Sequence, residues 1–238
     1  MAKRIFITAT NTDIGKTYTT IRLLNALSAR GVRVGVLKPV ETGVESAPPD
    51  GTLLLRTLHA CNRETTGLTV GDIVPIQMKL PAAPFVASGG TPVDWTKIDG
   101  ALEKMEHHCD LCLIEGAGGL LVPLDAEHDM IDLPARYGAR TLLVSHCRLG
   151  CINDTRLSLE ALERRNLPHE WVLNCRRDDT GFDVTSRPWF DSVFGKWYRL
   201  DRDIEALCDA LLGNSNNSVR SQRDRESHNQ GDASQAWP

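Results

Sequence analysis

The sequence predicts an α/β protein whose mainly parallel sheet is doubly wound, with helices on both faces in three layers, α/β/α. Three observations predict it. Short apolar runs alternate with stretches of helical spacing along residues 4–212, the rhythm of βαβ units. Two of the runs, "DLCLIE" (110–115) and "RTLLVSH" (140–146), are continuously apolar, as strands covered on both faces are. The first run leads straight into "GKT", the ending of a phosphate-binding loop, set between a strand and a helix.

"RIFIT" (4–8) reads as the first strand. "TYTTIRLLNALSARG" follows as a helix, with Ile21, Leu24 and Leu27 on one face and Gly31 as its stop. "VRVGVLK" is a second strand, and "DGTLLLRTLHAC" a helix opened by Asp50. "DWTKIDGALEKMEHHC" is a helix capped by Asp94, with Ile98, Leu102 and Met105 along one stripe. The strand at 110–115 then runs into a glycine-rich turn, Gly116 to Gly119. After the strand at 140–146 come a helix over "DTRLSLEALERRN", the strand "EWVLN" (170–174) and a last helix near 202–212. No internal repeat is present. Residues 1–213 read as a single domain. From Asn214 onward the chain is polar and too poor in apolar residues to offset its ordering entropy, so 214–238 is expected to be a disordered tail.

Composition narrows the function. The 238 residues are 41% hydrophobic and 24% charged, and the net charge of −4 asks for neither nucleic acid nor an anionic membrane. No apolar run is long enough to span a bilayer, and residues 1–10 lack a secretory apolar region, so a cytoplasmic protein is expected. The seven cysteines, an odd number set in or beside apolar runs, are expected to be reduced and mostly buried. Cys109 and Cys112 form a C-x-x-C. On a strand, residues three apart face opposite ways, which argues against a metal or redox pair. His107, His108, His128 and His146 lack zinc-site spacing, and the tryptophans are too dispersed for a base-stacking platform.

Five stretches can carry chemistry. In "TATNTDIGKT" backbone amides at the helix start suit phosphate, Lys16 can reach the β- and γ-phosphates, and the Thr17 hydroxyl can bind Mg²⁺. The usual loop begins with glycine, where Thr10 stands with Ala9 before it; the plainer alternative is an ordinary strand–turn–helix. Glu115 ends an apolar strand, the position at which phosphate-loop enzymes hold Mg²⁺, or is simply the end of a strand before a tight turn. Lys38 closes the second strand, with Thr42 just beyond. It is either a second cation for phosphoryl transfer or a solvated lysine. Asp50 is an N-cap or a metal carboxylate. "LGCIND" (149–154) opens a helix that could hold an anion, or is capped by Asn153.

Together and in this order, "TNTDIGKT", "LKPVETG", Asp50 before "LLL", "IEGAGGLLVPL", "LGCIN" and Asn174 resemble the dethiobiotin synthetases. These are ATP-dependent cyclo-ligases of biotin synthesis with the P-loop NTPase fold. The resemblance covers residues 4 to about 175. It implies a nucleotide site made by Asn11, Thr12, Asp13, Ile14, Gly15, Lys16, Thr17, Tyr18 and Asn174, with ATP or another nucleoside triphosphate as co-substrate. It implies Mg²⁺ held by Thr17, Asp50 and Glu115, and catalytic roles for Lys16, Lys38 and Thr12. The implied substrates are 7,8-diaminopelargonic acid and CO₂. They would be held by Thr12, Lys38, Thr42, Gly118, Gly119, Leu149, Gly150, Cys151 and Asn153. The resemblance also implies a homodimer, in which "LGCIN" of one subunit holds the carboxylate of the diamine bound mainly to the other. The chain departs from the family at Ala9, where glycine is usual, and at Arg148, where lysine is common. It also lacks a purine-lining segment between Asn174 and Leu212, where "NCRRDDTGFD" stands instead. Two competing readings share the loop. A partition-type regulatory ATPase would carry a lysine early in the loop, where this chain has Asn11. A small-molecule kinase would carry an arginine-bearing lid, which the "RR" pairs do not make.

Overall fold

The computed structural model describes residues 2–177 and 179–213; the tail expected at 214–238 lies outside them. The chain begins with β1 (Lys3–Ala9), α1 (Lys16–Ala29), β2 (Val34–Leu37), β3 (Val40–Thr42) and α2 (Pro49–Cys61). A 3₁₀ turn (Arg63–Thr65), α3 (Val70–Ile73), β4 (Ile76–Met78), α4 (Pro84–Ala87) and α5 (Trp95–Glu106) follow. Next come β5 (Leu111–Gly119), α6 (Asp132–Tyr137), β6 (Arg140–His146), α7 (Cys151–Arg164) and β7 (His169–Asn174). The last elements are α8 (Phe182–Thr185), α9 (Arg187–Val193), β8 (Tyr198–Arg199) and α10 (Ile204–Leu212).

Six strands form one sheet in the order β2-β5-β1-β6-β7-β8, parallel throughout, and β3 and β4 form a separate parallel pair. The two faces of β6 and β7 show why those runs had to be apolar throughout. Leu142, Val144 and Val172 pack into the large core shared with α1, α5 and α10. Their neighbours Leu143, Trp171 and Leu173 pack into a second core under α7, α8 and α9. That alternation is the period of a strand buried on both sides. Among the described residues no helix is long and apolar enough to cross a membrane.

Several expectations are corrected. Gly116–Gly119 is not a turn outside the strand. β5 continues through it, with an irregularity in pairing that brings Gly119 opposite Ala9. Asp50 does not cap α2: Pro48 is its N-cap, and Asp50 sits in the first turn. α7 begins three residues earlier than the sequence pattern, at Cys151, with Gly150 and not Asn153 at its N-cap. Cys147 and Cys175 form a disulfide, contrary to the expectation of reduced thiols. β6 and β7 are paired up to His146 and Asn174, so the next residue of each strand faces the other, with Cα atoms 4.9 Å apart. Cys109 precedes β5 instead of lying on it, so the opposite-face reading does not hold. Its thiol reaches that of Cys112, which that contact and full burial push well above the usual thiol range.

Candidate active site

The phosphate loop runs from the end of β1 to the start of α1. Ala9 is fully buried and paired with both Gly119 and Val144, a strand position that needs no glycine. The turning is done further on, by Asp13 at φ 59° and Gly15 at φ 103°. Gly15 is obligatory twice over. Its φ is left-handed, and a Cβ there would lie 2.3 Å from Asn174 Nδ2. Asn174, at the end of β7, donates from Nδ2 to the Ile14 carbonyl at 2.8 Å, and Arg176 donates to the Asp13 carbonyl. β7 therefore holds the loop from below, while the amides at the start of α1 carry no side-chain cap and are free for phosphate.

Beside the loop lies a buried charge cluster. Glu115 on β5 is fully buried. Its Oε1 accepts from Thr17 Oγ1 at 2.7 Å and Lys38 Nζ at 2.8 Å, and its Oε2 from Thr20 Oγ1 at 2.6 Å. Lys38 Nζ also donates to Asp50 Oδ2 at 2.8 Å. Burial works against the Lys38 ammonium, but the Glu115 and Asp50 carboxylates outweigh it and hold the group above its ordinary value, so it stays charged. Lys16 lies on the other side of that balance. Burial first, and then repulsion from Lys38, bring it down to about 8.

This donor set fits Mg²⁺. Thr17, Asp50 and Glu115 offer hard oxygens, and the two carboxylates already converge on one cation, the Lys38 ammonium. Among the described residues no group of three or more His, Cys, Asp or Glu side chains could hold a metal. Two carboxylates and a hydroxyl leave several positions of an octahedral ion to water and phosphate oxygens, the usual arrangement for Mg²⁺ with a nucleotide.

Thr12, Asp13, Gly15, Lys16, Thr17, Lys38, Thr42, Asp50 and Gly118 line one cleft of about 330 Å³, together with Glu41, Ala117 and Arg176. Other expected residues lie elsewhere. Asn11 is exposed and its Oδ1 accepts from the Thr12 amide at 2.7 Å. The Ile14 side chain is in the core, Asn174 is buried beneath the loop, and Tyr18 faces solvent beside Arg22. Gly119 is packed against the Ala9 and Thr10 carbonyls. The 149–153 segment is outside this cleft. Leu149 is 86% exposed, and Gly150 and Asn153 line a separate groove between α7 and β7. The Cys151 side chain is fully buried in the second core, so it cannot touch a ligand. Arg148 follows a fixed turn, its amide donating to His146 Nδ1 at 3.2 Å while His146 Nε2 pairs with Asp154 at 2.9 Å. Sequence reasoning missed Thr20, Glu41 and Arg176. Only Thr20 left a usable signal, since it follows Thr17 by three residues on the same helix face.

The chain is similar to known proteins over most of its length. The family described as an AAA domain matches residues 3–208. An ATP-dependent dethiobiotin synthetase of Sulfurovum sp. (strain NBC37-1) is 45% identical over 210 residues, covering 87% of this chain and 99% of that protein. An enzyme of the same name from Wolinella succinogenes is 39% identical, covering 88% and 98%. A crystal structure of a plasmid partition protein from Borrelia burgdorferi superposes with a TM-score of 0.55 at 11% identity, over 90% of this chain and 99% of that one. That likeness is one of fold alone.

Proposed function

Since the chain belongs to the dethiobiotin synthetase family, we propose that it closes the ureido ring of dethiobiotin from 7,8-diaminopelargonic acid, CO₂ and ATP. The single observation that carries this reading is the convergence of Lys16, Thr17, Lys38 and Asp50 on one cleft beside the phosphate loop, with the buried Glu115 of β5 behind it, bonded to Thr17 and Lys38.

One amine of the substrate takes up CO₂ and loses a proton, giving a carbamate. A carbamate oxygen attacks the γ-phosphorus, ADP leaves, and a mixed carbamic–phosphoric anhydride results. The second amine then attacks the carbamoyl carbon, phosphate departs with its bonding pair, and a proton is lost as the ring closes. The obstacle is anion meeting anion, so the residues must cancel charge. Lys16 and the loop amides hold the β- and γ-phosphates. Thr17, Asp50 and Glu115 would hold Mg²⁺, which when bound neutralises phosphate oxygens. Lys38, with Thr12 and Thr42, orients the carbamate. The carbamate is already an anion when it attacks phosphorus, so that step needs no general base, and the absence of a histidine from the cleft lining fits. Gly118, which lines the cleft, lets the diamine approach the backbone of β5. Residues 149–153 serve the carboxylate of the diamine in a second subunit, which makes the enzyme a homodimer. A cytoplasmic location follows from its dependence on ATP.

The test is a panel of nucleoside triphosphates with diamine and bicarbonate, following ureido product and phosphate together. Product is expected only when all three substrates are present, with phosphate released in step. Phosphate release independent of the diamine overturns the reading.

A further inference from the structure

We infer that Glu41 is a positioning residue that sets the metal site by clamping the first turn of α2, and so aiming Asp50. The inference rests on the reading of Asp50 as a ligand of Mg²⁺. Glu41 lies on β3 in the wall of the cleft and is only 4% exposed. Its two oxygens are used separately. Oε1 accepts from the Asp50 amide and Oε2 from the Gly51 amide, each at 2.9 Å. These are unpaired donors of a helix start, because the N-cap Pro48 supplies no side-chain acceptor. A carboxylate from a different element therefore does the work that a capping side chain does elsewhere.

The surroundings are shaped around that clamp. A Cβ on Gly51 would lie 2.3 Å from Val74 Cγ2 and 3.2 Å from Glu41 Oε2, so only glycine lets the helix turn come this close. Glu41 is itself held in register, opposite Gln77 in the β3–β4 pair, and the Lys38 amide is anchored to the Ile73 carbonyl at 2.7 Å. A continuous path of hydrogen bonds thus runs from the small sheet through Glu41 to the backbone of Asp50, whose carboxylate pairs directly with Lys38 at 2.8 Å. A buried carboxylate is costly unless its hydrogen bonds are met. This one is met by the two amides that fix Asp50. No step of the proposed reaction otherwise needs it.

The experiment titrates Mn²⁺ into the full chain with a non-hydrolysable ATP analogue, reading free Mn²⁺ by electron paramagnetic resonance. A fluorescent nucleotide in EDTA reports affinity without metal. Glu41→Ala is expected to raise the Mn²⁺ dissociation constant about tenfold or more, as loss of an outer support does, and Glu41→Gln by less, since it keeps one acceptor. Metal-free nucleotide affinity stays within about twofold. Asp50→Asn is expected to weaken Mn²⁺ as well, and adding Glu41→Ala to it should cost little more, because the two act through one carboxylate. Should Glu41→Ala fail to fold, Glu41→Gln decides. Normal Mn²⁺ affinity in a folded Glu41 variant, beside a weakened Asp50→Asn, overturns this inference alone, as does a parallel loss of metal-free nucleotide affinity. Normal affinity in Asp50→Asn overturns the metal reading itself.

Discussion

Lys38 sits between two carboxylates, one of them the fully buried Glu115, and without a metal it is their main counter-ion. Removing one partner of such a group leaves a buried charge uncompensated, at a cost of about 3 kcal/mol. Lys38→Met is therefore expected to melt well below the parent in EDTA and to recover more than the parent does when Mg²⁺ and nucleotide are added. Thermal denaturation with and without Mg²⁺ reads this; equal metal shifts in both proteins would contradict it. Lys16→Ala and Glu115→Ala should each lower turnover by about 100-fold or more with the fold retained, by steady-state kinetics and circular dichroism. Near-normal rates in either would overturn the site assignment. Lys16, Thr17, Lys38 and Asp50 were legible in the sequence because each stands where a strand ends or a helix begins, and Glu115 because it is the acid that closes an apolar run, although β5 itself continues past it to Gly119. Glu41 and Arg176 were not. Their partners are backbone groups nine or more residues away, and nothing in "VETG" or "NCRR" reveals that approach. Ala9 looked like a defect only because the loop was counted from the wrong end. The glycine that matters is Gly15.

The elements follow the same division. β1, β5, β6 and β7 were readable from their apolar runs, whereas β3, β4 and β8 have two or three residues each, too few to show any period. They exist because neighbouring segments offer free backbone, which is tertiary information. The connection from β5 to α6 is another such case. Asp125 accepts at Oδ1 from the amides of Glu127 and His128 and from His128 Nδ1, each at 2.9 Å, and at Oδ2 from the Val93 amide at 3.1 Å. Burial alone would raise this carboxyl, but the donors outweigh it and hold it at about 2. A depressed native value means stability that is fully present above the unfolded value of 3.8 and is lost as pH falls toward 2. Urea midpoints between pH 5 and pH 2 should therefore drop more steeply for the parent than for Asp125→Ala. Identical acid limbs would show that Asp125 contributes nothing.

At the scale of the whole molecule, strand order decides which segments can share a site. With β1 between β5 and β6, the phosphate loop meets Glu115 from one side and the turn after β6 lies on the other. Yet the segment that should receive the substrate carboxylate, 149–153, turns away from the cleft of its own chain. It opens onto a groove with Ile152, Arg156 and Leu157 of α7. Leu149 is 86% exposed and Leu157 59%, four residues beyond Asn153 on the same helix face. A second subunit seated along this face would give 149–153 a diamine to hold and would cover these leucines. Leu157→Asp would place a charge in that interface. It is expected to shift the protein from dimer to monomer in sedimentation velocity and to raise KM for the diamine about tenfold or more. Nucleotide affinity, set by a loop within one chain, should stay unchanged. A Leu157→Asp dimer with parental KM would place the subunit contact elsewhere. A parental protein that sediments as a monomer while turning over at its full rate would remove the need for a partner.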